Sequence, residues 1–302
     1  MKTNVYFKSN GLNIAAHLYT PESLNTEKYP AIIVGHPGSG VKEQTSGLYA
    51  ARLAQAGFVT LAFDAAYQGE SEGEPRGLEE PAQRVEDFKA AVSFLSTIEC
   101  VAIDRIGALG ICASGGYVVT AAVGDHRIKA TATVSGVDLG SIYREGPDGK
   151  QDPAVFQSML DAAAAARTAE AQGEAVQYFP LFPRSKEEAA QSGVFMSEGY
   201  DYYCTPRAQH PRSAKELTWS SVDRIASFDG FQFAHLLASR PLLVIIGQNA
   251  ITTANSSRAF DNAQEPKEIF WVEGASHQDL YDREPFISTA ATRLTDFFSS
   301  CL

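Results

Sequence analysis

The sequence predicts an α/β fold in which a mostly parallel sheet, flanked by helices, is interrupted by an inserted cap. Continuous apolar runs of strand length at residues 29–34, 58–63, 128–134 and 241–246 alternate with stretches of helical periodicity, the pattern of a sheet buried on both faces. Between about Leu139 and His235 the alternation gives way to an Ala-rich helical segment and clusters of aromatic residues, and strands then resume. No Pro/Ser/Gly-rich linker divides the chain. The expected organisation is therefore a core built from 1–138 and 236–302, with a cap at 139–235 between its halves.

Taken in order, residues 5–7 and 12–19 alternate apolar and polar side chains around Asn10-Gly11, which predicts a hairpin at a sheet edge. The run at 29–34 leads into Gly35-His36-Pro37-Gly38-Ser39-Gly40, a loop of small residues after a buried parallel strand. A helix at 45–56 stops at Gly57, and the strand at 58–63 ends at Asp64. Residues 64–73 are turn-rich, and Asp64 with Gln68-Gly69-Glu70-Ser71 reads as structural. A helix from about 83 to 97 carries Val85, Phe88, Val92 and Leu95 on one face. Glu79, Glu80 and Asp87 read as exposed charges on or before it, and Asp104-Arg105 as a solvated turn. The cap region holds a helical stretch at 154–171 and aromatic groups including Tyr178, Phe179, Phe182, Phe195, Tyr202, Tyr203 and Trp219. Strands at 241–246 and 269–272 and an amphipathic helix at 285–298 complete the chain. Ligands bind at the carboxyl ends of such strands, where His36, Cys112 and His277 all fall.

The stretch 105–120 is the centre of the pattern: a short apolar strand, a turn of small residues, then an apolar helix. Gly110, Ser114, Gly115 and Gly116 surround a reactive Cys112 where the strand breaks, as a sharp strand-to-helix bend requires. The helix points its free N–H groups at that side chain, which favours a thiolate or an oxyanion.

Composition narrows the partners. At 302 residues and 44% hydrophobic, the chain can bury one large core. A formal charge of -11 argues against nucleic acid or anionic membrane as its partner. No apolar run is long enough to span a bilayer, and residues 1–8 lack the apolar core of a signal peptide, so the expected setting is cytoplasmic. Cys100, Cys112, Cys204 and Cys301 have neither C-x-x-C nor metal-like spacing, so neither a disulfide framework nor a zinc site is expected. The sequence leaves the oligomeric state open.

Three motifs in order carry a resemblance: His36-Pro37-Gly38-Ser39-Gly40, Gly110-Ile111-Cys112-Ala113-Ser114-Gly115, and Gly274-Ala275-Ser276-His277. The chain resembles the α/β-hydrolase superfamily, nearest its dienelactone-hydrolase-like branch with a cysteine nucleophile, over nearly everything outside the cap. The resemblance implies an α/β-hydrolase fold, an oxyanion loop from the first motif, a nucleophile from the second and a general base, His277, from the third. Cys112 and Ser114 both sit between small residues. The family's G-x-S-x-G-G pattern sets the nucleophile two residues past the strand-ending glycine, which selects Cys112 over Ser114. The backbone N–H of Ala113 is the implied first oxyanion donor, with Gly38 or Ser39 as the second. His36 is read as scaffolding of the oxyanion loop.

The chain departs from the family at the acid: Gly247-Gln248-Asn249-Ala250-Ile251-Thr252 has Ala250 where an aspartate is expected. Asp138 after the strand ending at Val134 is the favoured replacement. Asn249 as a neutral partner, or no third residue, are the alternatives. The implied activity is cofactor-independent hydrolysis of a small-molecule ester, thioester or lactone through an acyl-cysteine. Transfer of the same acyl group to another acceptor, or non-catalytic binding with a degenerate triad, are the competing readings. A cysteine at the elbow argues against haloalkane or epoxide hydrolysis, which needs an aspartate there.

Overall fold

The computed structural model describes residues 1–21 and 27–302. Asn10 and Gly11 both take positive φ, 46° and 86°, as a two-residue hairpin turn requires, and they pair β1 (Lys2–Ser9) antiparallel with β2 (Leu12–Tyr19) from Ser9 opposite Leu12 onward. There follow β3 (Tyr29–Gly35), α1 (Thr45–Gln55), β4 (Val59–Phe63), α2 (Pro81–Leu95), β5 (Val101–Ile111), α3 (Ser114–Gly124) and β6 (Ile128–Val134). The inserted stretch holds α4 (Leu139–Glu145), α5 (Pro153–Ala171), β7 (Tyr178–Pro180), α6 (Lys186–Gln191), α7 (Val194–Cys204), β8 (Glu216–Thr218), α8 (Ser220–Ala226) and a 3-10 turn at Ala234–Leu237. The chain ends with β9 (Leu242–Gly247), α9 (Thr253–Asn262), β10 (Lys267–Val272), α10 (Asp279–Asp282) and α11 (Phe286–Cys301).

Eight strands form one sheet in the order β1-β2-β4-β3-β5-β6-β9-β10, antiparallel at β1-β2-β4 and parallel from β4 onward. The two-residue period of a strand sorts its side chains between two layers. Ala31 and Ile33 pack with Phe88 and Val92 of α2 and Val118 of α3, whereas Ile32 and Val34 pack with Tyr49 and Leu53 of α1 and Leu294 and Phe298 of α11. Helices on both faces leave the strand ends at the carboxyl side as the place for a site.

The inserted stretch has its own small core, with Phe156 and Ala163 of α5, Phe179 of β7, Leu217 of β8 and Val222 of α8. The chain rejoins the main packing by Phe231, which joins Ala234 and Leu237 against the α2 and α3 layer.

Four charged residues differ from the sequence reading. Glu79 and Asp87 are fully buried rather than exposed. Glu79 accepts from the Tyr117 hydroxyl at 2.7 Å and Gln68 Nε2 at 2.5 Å and lies 3.0 Å from Arg84 Nε, so its charge is paired inside the core. Asp87 accepts from the backbone N–H of Ala66 at 2.9 Å. Alternation alone could not reveal them, because the partners come from distant turns. Asp104-Arg105 lies within β5 at a register shift against β3, so a bulged strand replaces the expected turn.

Candidate active site

The elbow is built by exclusion of Cβ atoms. A Cβ on Gly110 would strike the Ser114 carbonyl, and one on Gly115 would come within 2.5 Å of Gly136 Cα. Cys112 takes φ 53°, the left-handed region that L residues adopt only where the surroundings force it. The fold holds it there with backbone bonds from Cys112 N to Val134 O (3.1 Å) and from Val137 N and Gly115 N to Cys112 O (2.9 and 2.8 Å). Ser114, the alternative, is turned away: its hydroxyl donates to the His36 carbonyl at 2.5 Å and is buried. Cys112, by contrast, lines a cavity of about 500 Å³.

The backbone N–H groups of Ala113 and Gly38 both act on the Cys112 thiol, lowering its pKa, and with Cys112 they line one cavity, so the two implied oxyanion donors lie on the same side of the site. His36 braces the Gly38 loop as a neutral ring: it lies 2.6 Å from Pro37 O through Nδ1, and its Nε2 accepts from Ala65 N at 3.0 Å and Arg84 Nη1 at 3.1 Å. Burial, joined by the Arg84 charge, holds its pKa well below the usual imidazole range.

Burial pushes the Cys112 thiol up, and its polar neighbours Tyr281, Ala113 and Gly38 pull only partly against it. The thiolate favoured by the helix N-terminus in the sequence reading is thus outweighed by desolvation. His277 is fully buried, and burial lowers its pKa to about 3. Thiol and imidazole are both neutral at neutral pH.

His277 arrives after β10 and is held by its backbone carbonyl, which accepts from Ser135 Oγ at 3.0 Å. Its Nδ1 lies 2.7 Å from Thr252 Oγ1, and its Nε2 lies 3.0 Å from the Tyr281 hydroxyl. Tyr281 lines the same cavity as Cys112 and is one of the groups that act on the thiol, so its hydroxyl occupies the Nε2 side that faces the sulfur. From the inserted stretch, Phe195 of α7 meets the His277 ring edge-on at 5.5 Å, and Tyr202 packs 5.0 Å from Tyr281.

Asp138, the favoured acid, does not partner the imidazole. Its carboxylate caps α4 through Ser141 N at 2.8 Å and accepts from Gly230 N at 2.8 Å, while Arg144 and Arg258 stand nearby. The strand-end position is right, but the side chain serves the helix that starts there. Asn249 is exposed and donates to Gly274 O at 3.2 Å, so it does not orient the ring either. Thr252 and Tyr281 went unread in the sequence. Thr252 precedes α9 in the place of an ordinary N-cap, yet its hydroxyl binds His277 instead of the helix. For Tyr281 a signal existed: it follows His277 by only four residues, close enough for a turn to bring the two side chains together.

The cavity wall is chiefly apolar, with Leu139, Ile142, Met159, Phe179, Phe182 and Leu217 from the inserted stretch facing Cys112 and Tyr281 from the core. Among the described residues all four cysteines are free, no group of His, Cys, Asp and Glu could hold a metal ion, and no helix is long and apolar enough to cross a membrane.

Comparison with known proteins agrees with this architecture. The profile of the Dienelactone hydrolase family matches residues 14–156. The uncharacterized protein YcjY of Escherichia coli is 39% identical over 293 residues, covering 96% of this chain and 95% of that one. The chain belongs to the dienelactone hydrolase family. The crystal structure of the hypothetical protein PA2218 from Pseudomonas aeruginosa superposes with a TM-score of 0.93 at 35% identity, over 100% of this chain and 94% of that one. The structure of DcsB in complex with its substrate analogue shares the fold, with a TM-score of 0.86 at 21% identity over 100% and 99% of the two chains. This dienelactone hydrolase family member has the α/β-hydrolase fold.

Proposed function

We propose that the chain hydrolyses an ester, thioester or lactone bearing an apolar acyl group, through an acyl-cysteine on Cys112, with residues 139–235 as the cap that holds the acyl chain. The observation that carries the reading is Cys112 at φ 53° on the elbow, lining one cavity with Gly38, Ala113 and Tyr281, whose hydroxyl is bonded to His277. In this reading the sulfur attacks the carbonyl and its proton passes toward His277. The backbone N–H groups of Gly38 and Ala113 then hold the oxyanion, a contribution of about 3 kcal/mol per donor. Collapse expels the leaving group with a proton from His277, which next activates water against the thioester. Thr252 fixes the ring through Nδ1, a neutral hydroxyl in the place of a carboxylate.

The apolar wall supports an apolar acyl group, because a polar one would lose its hydration without partners. Steady-state hydrolysis of p-nitrophenyl esters of increasing chain length tests this. The reading expects kcat/KM to rise beyond acetate and activity to vanish in C112A. Equal turnover by C112A, or a preference for charged acyl groups, overturns it.

Acyl transfer is the second reading, favoured by the cap covering His277 with Phe195. Among the relatives, the acyltransferase drtE of Aspergillus calidoustus is 22% identical over 297 residues, and the thiohydrolase aneE of Aspergillus aculeatus is 31% identical over 163 residues. Adding an alcohol acceptor separates the two: ester product in excess of free acid selects transfer, and free acid alone selects hydrolysis.

A further inference from the structure

The imidazole has no free nitrogen with which to meet the thiol. His277 Nδ1 is taken by Thr252 at 2.7 Å and Nε2 by the Tyr281 hydroxyl at 3.0 Å, and Tyr281 and Cys112 line the same cavity. Tyr281 is itself held by its backbone and its ring. Its backbone carbonyl accepts from Thr45 Oγ1 at 3.0 Å, its ring packs edge-on against Tyr202 at 5.0 Å, and the residue is 1% exposed. A side chain so held is not a mobile plug; its oxygen stays at His277 Nε2, in the cavity that Cys112 lines.

We infer that Tyr281 is a catalytic residue, passing the thiol proton of Cys112 to His277 Nε2 and returning it to the leaving group. The inference rests on the acyl-cysteine reading above and specifies how its base works. As the S–C bond forms, the S–H bond breaks and the thiol proton moves to the Tyr281 oxygen. The proton already on that oxygen moves to Nε2, and the carbonyl π pair becomes the oxyanion at Gly38 and Ala113. Tyr281 is neutral before and after, so the step needs no tyrosinate. When the intermediate collapses, the bond to the leaving group breaks and the proton travels back along the same path. The geometry demands one tautomer, with Nδ1–H donating to Thr252 and Nε2 accepting from Tyr281.

The test is the rate of acyl-enzyme formation from p-nitrophenyl acetate, read as the p-nitrophenol burst in the wild type, Y281F, H277N and the double variant. Phenylalanine keeps the ring that packs on Tyr202 and removes only the hydroxyl. A relay predicts a loss of about 10²-fold or more in Y281F, in the range of general acid–base catalysis, with the double variant no slower than the single ones. A loss of under about threefold in Y281F, or losses that multiply in the double variant, overturns it. If rapid acid quench finds no acetyl group on Cys112 of the wild type or of any variant, the acyl-cysteine reading fails instead, so the two failures are distinguishable. Should Y281F not fold, the wild-type burst in H₂O/D₂O mixtures decides: a curved dependence on deuterium fraction supports two protons in motion, and a linear one overturns the relay.

Discussion

Thr252 Oγ1 lies 2.7 Å from His277 Nδ1, where hydrolases of this fold ordinarily place a carboxylate. A hydroxyl orients the ring without adding a negative charge to it. The fully buried His277 therefore has nothing to raise its pKa against desolvation, and its pKa falls to about 3. A neutral thiol facing a neutral imidazole is the electrostatic character of this site, and the predictions below follow from it.

T252V keeps the shape of residue 252 and removes the partner of Nδ1. Leaving a buried donor unpaired costs about 1–3 kcal/mol, which corresponds to acylation roughly 5- to 150-fold slower if the loss falls on the transition state. D138N should leave the acylation rate of the folded protein within about twofold and instead lower stability by about 1 kcal/mol, because Asp138 caps α4 and holds Gly230 N. Burst kinetics and urea unfolding on both variants check the contrast.

Cys112 should alkylate slowly at neutral pH, because the thiolate is the reacting form and little of it is present. Its pKa is raised by burial, so the thiolate fraction at neutral pH is below that of an ordinary cysteine. The rate of iodoacetamide labelling at Cys112, followed by peptide mass, is expected to keep rising through pH 9. A plateau below pH 8 would show a thiolate–imidazolium pair and contradict the neutral ground state.

His277 should make the fold weaker in acid. Its folded pKa of about 3 lies below the unfolded value of 6.5, so its neutral burial costs nothing above pH 6.5 and counts against folding as pH falls from there toward 3. The penalty reaches about 2 kcal/mol at pH 5. Urea unfolding of wild type and H277N at pH 7.5 and pH 5 measures it as the difference between their pH dependences. His36, whose pKa is lowered in the same direction, is common to both proteins and cancels.

The bend at Cys112 depends on residues that lack side chains. G115A should destabilise by about 2 kcal/mol or more, since its Cβ would meet the Gly136 backbone at 2.5 Å and neither backbone can yield without moving the elbow. A thermal melt indistinguishable from wild type would mean that the elbow is looser than its geometry implies.

Much of this was legible from sequence wherever the cause is local. Asn10-Gly11 can hardly be anything but a tight hairpin turn, and the small residues around Cys112 have few uses besides a sharp bend. Buried strands announced themselves because both faces are apolar, and Pro81 starts α2 at the first helical position, slightly ahead of the expected start. What stayed hidden are pairings between polar groups far apart in the chain. Glu79 looks like a surface charge until Tyr117, Arg84 and Gln68 surround it. Asp138 sits at a strand end where an acid could serve His277, and only the turn into α4 shows that its carboxylate faces a helix instead. Thr252 is indistinguishable from a helix cap until its hydroxyl is seen to point at a ring.

The central claim is that a sulfur carries the acyl group. Peptide mass mapping after a rapid acid quench of the reaction with p-nitrophenyl acetate tests it most directly. The account predicts an acetyl group on Cys112, still formed in S114A and absent in C112A. An acetyl group found on Ser114, or one that persists undiminished in C112A, would contradict it.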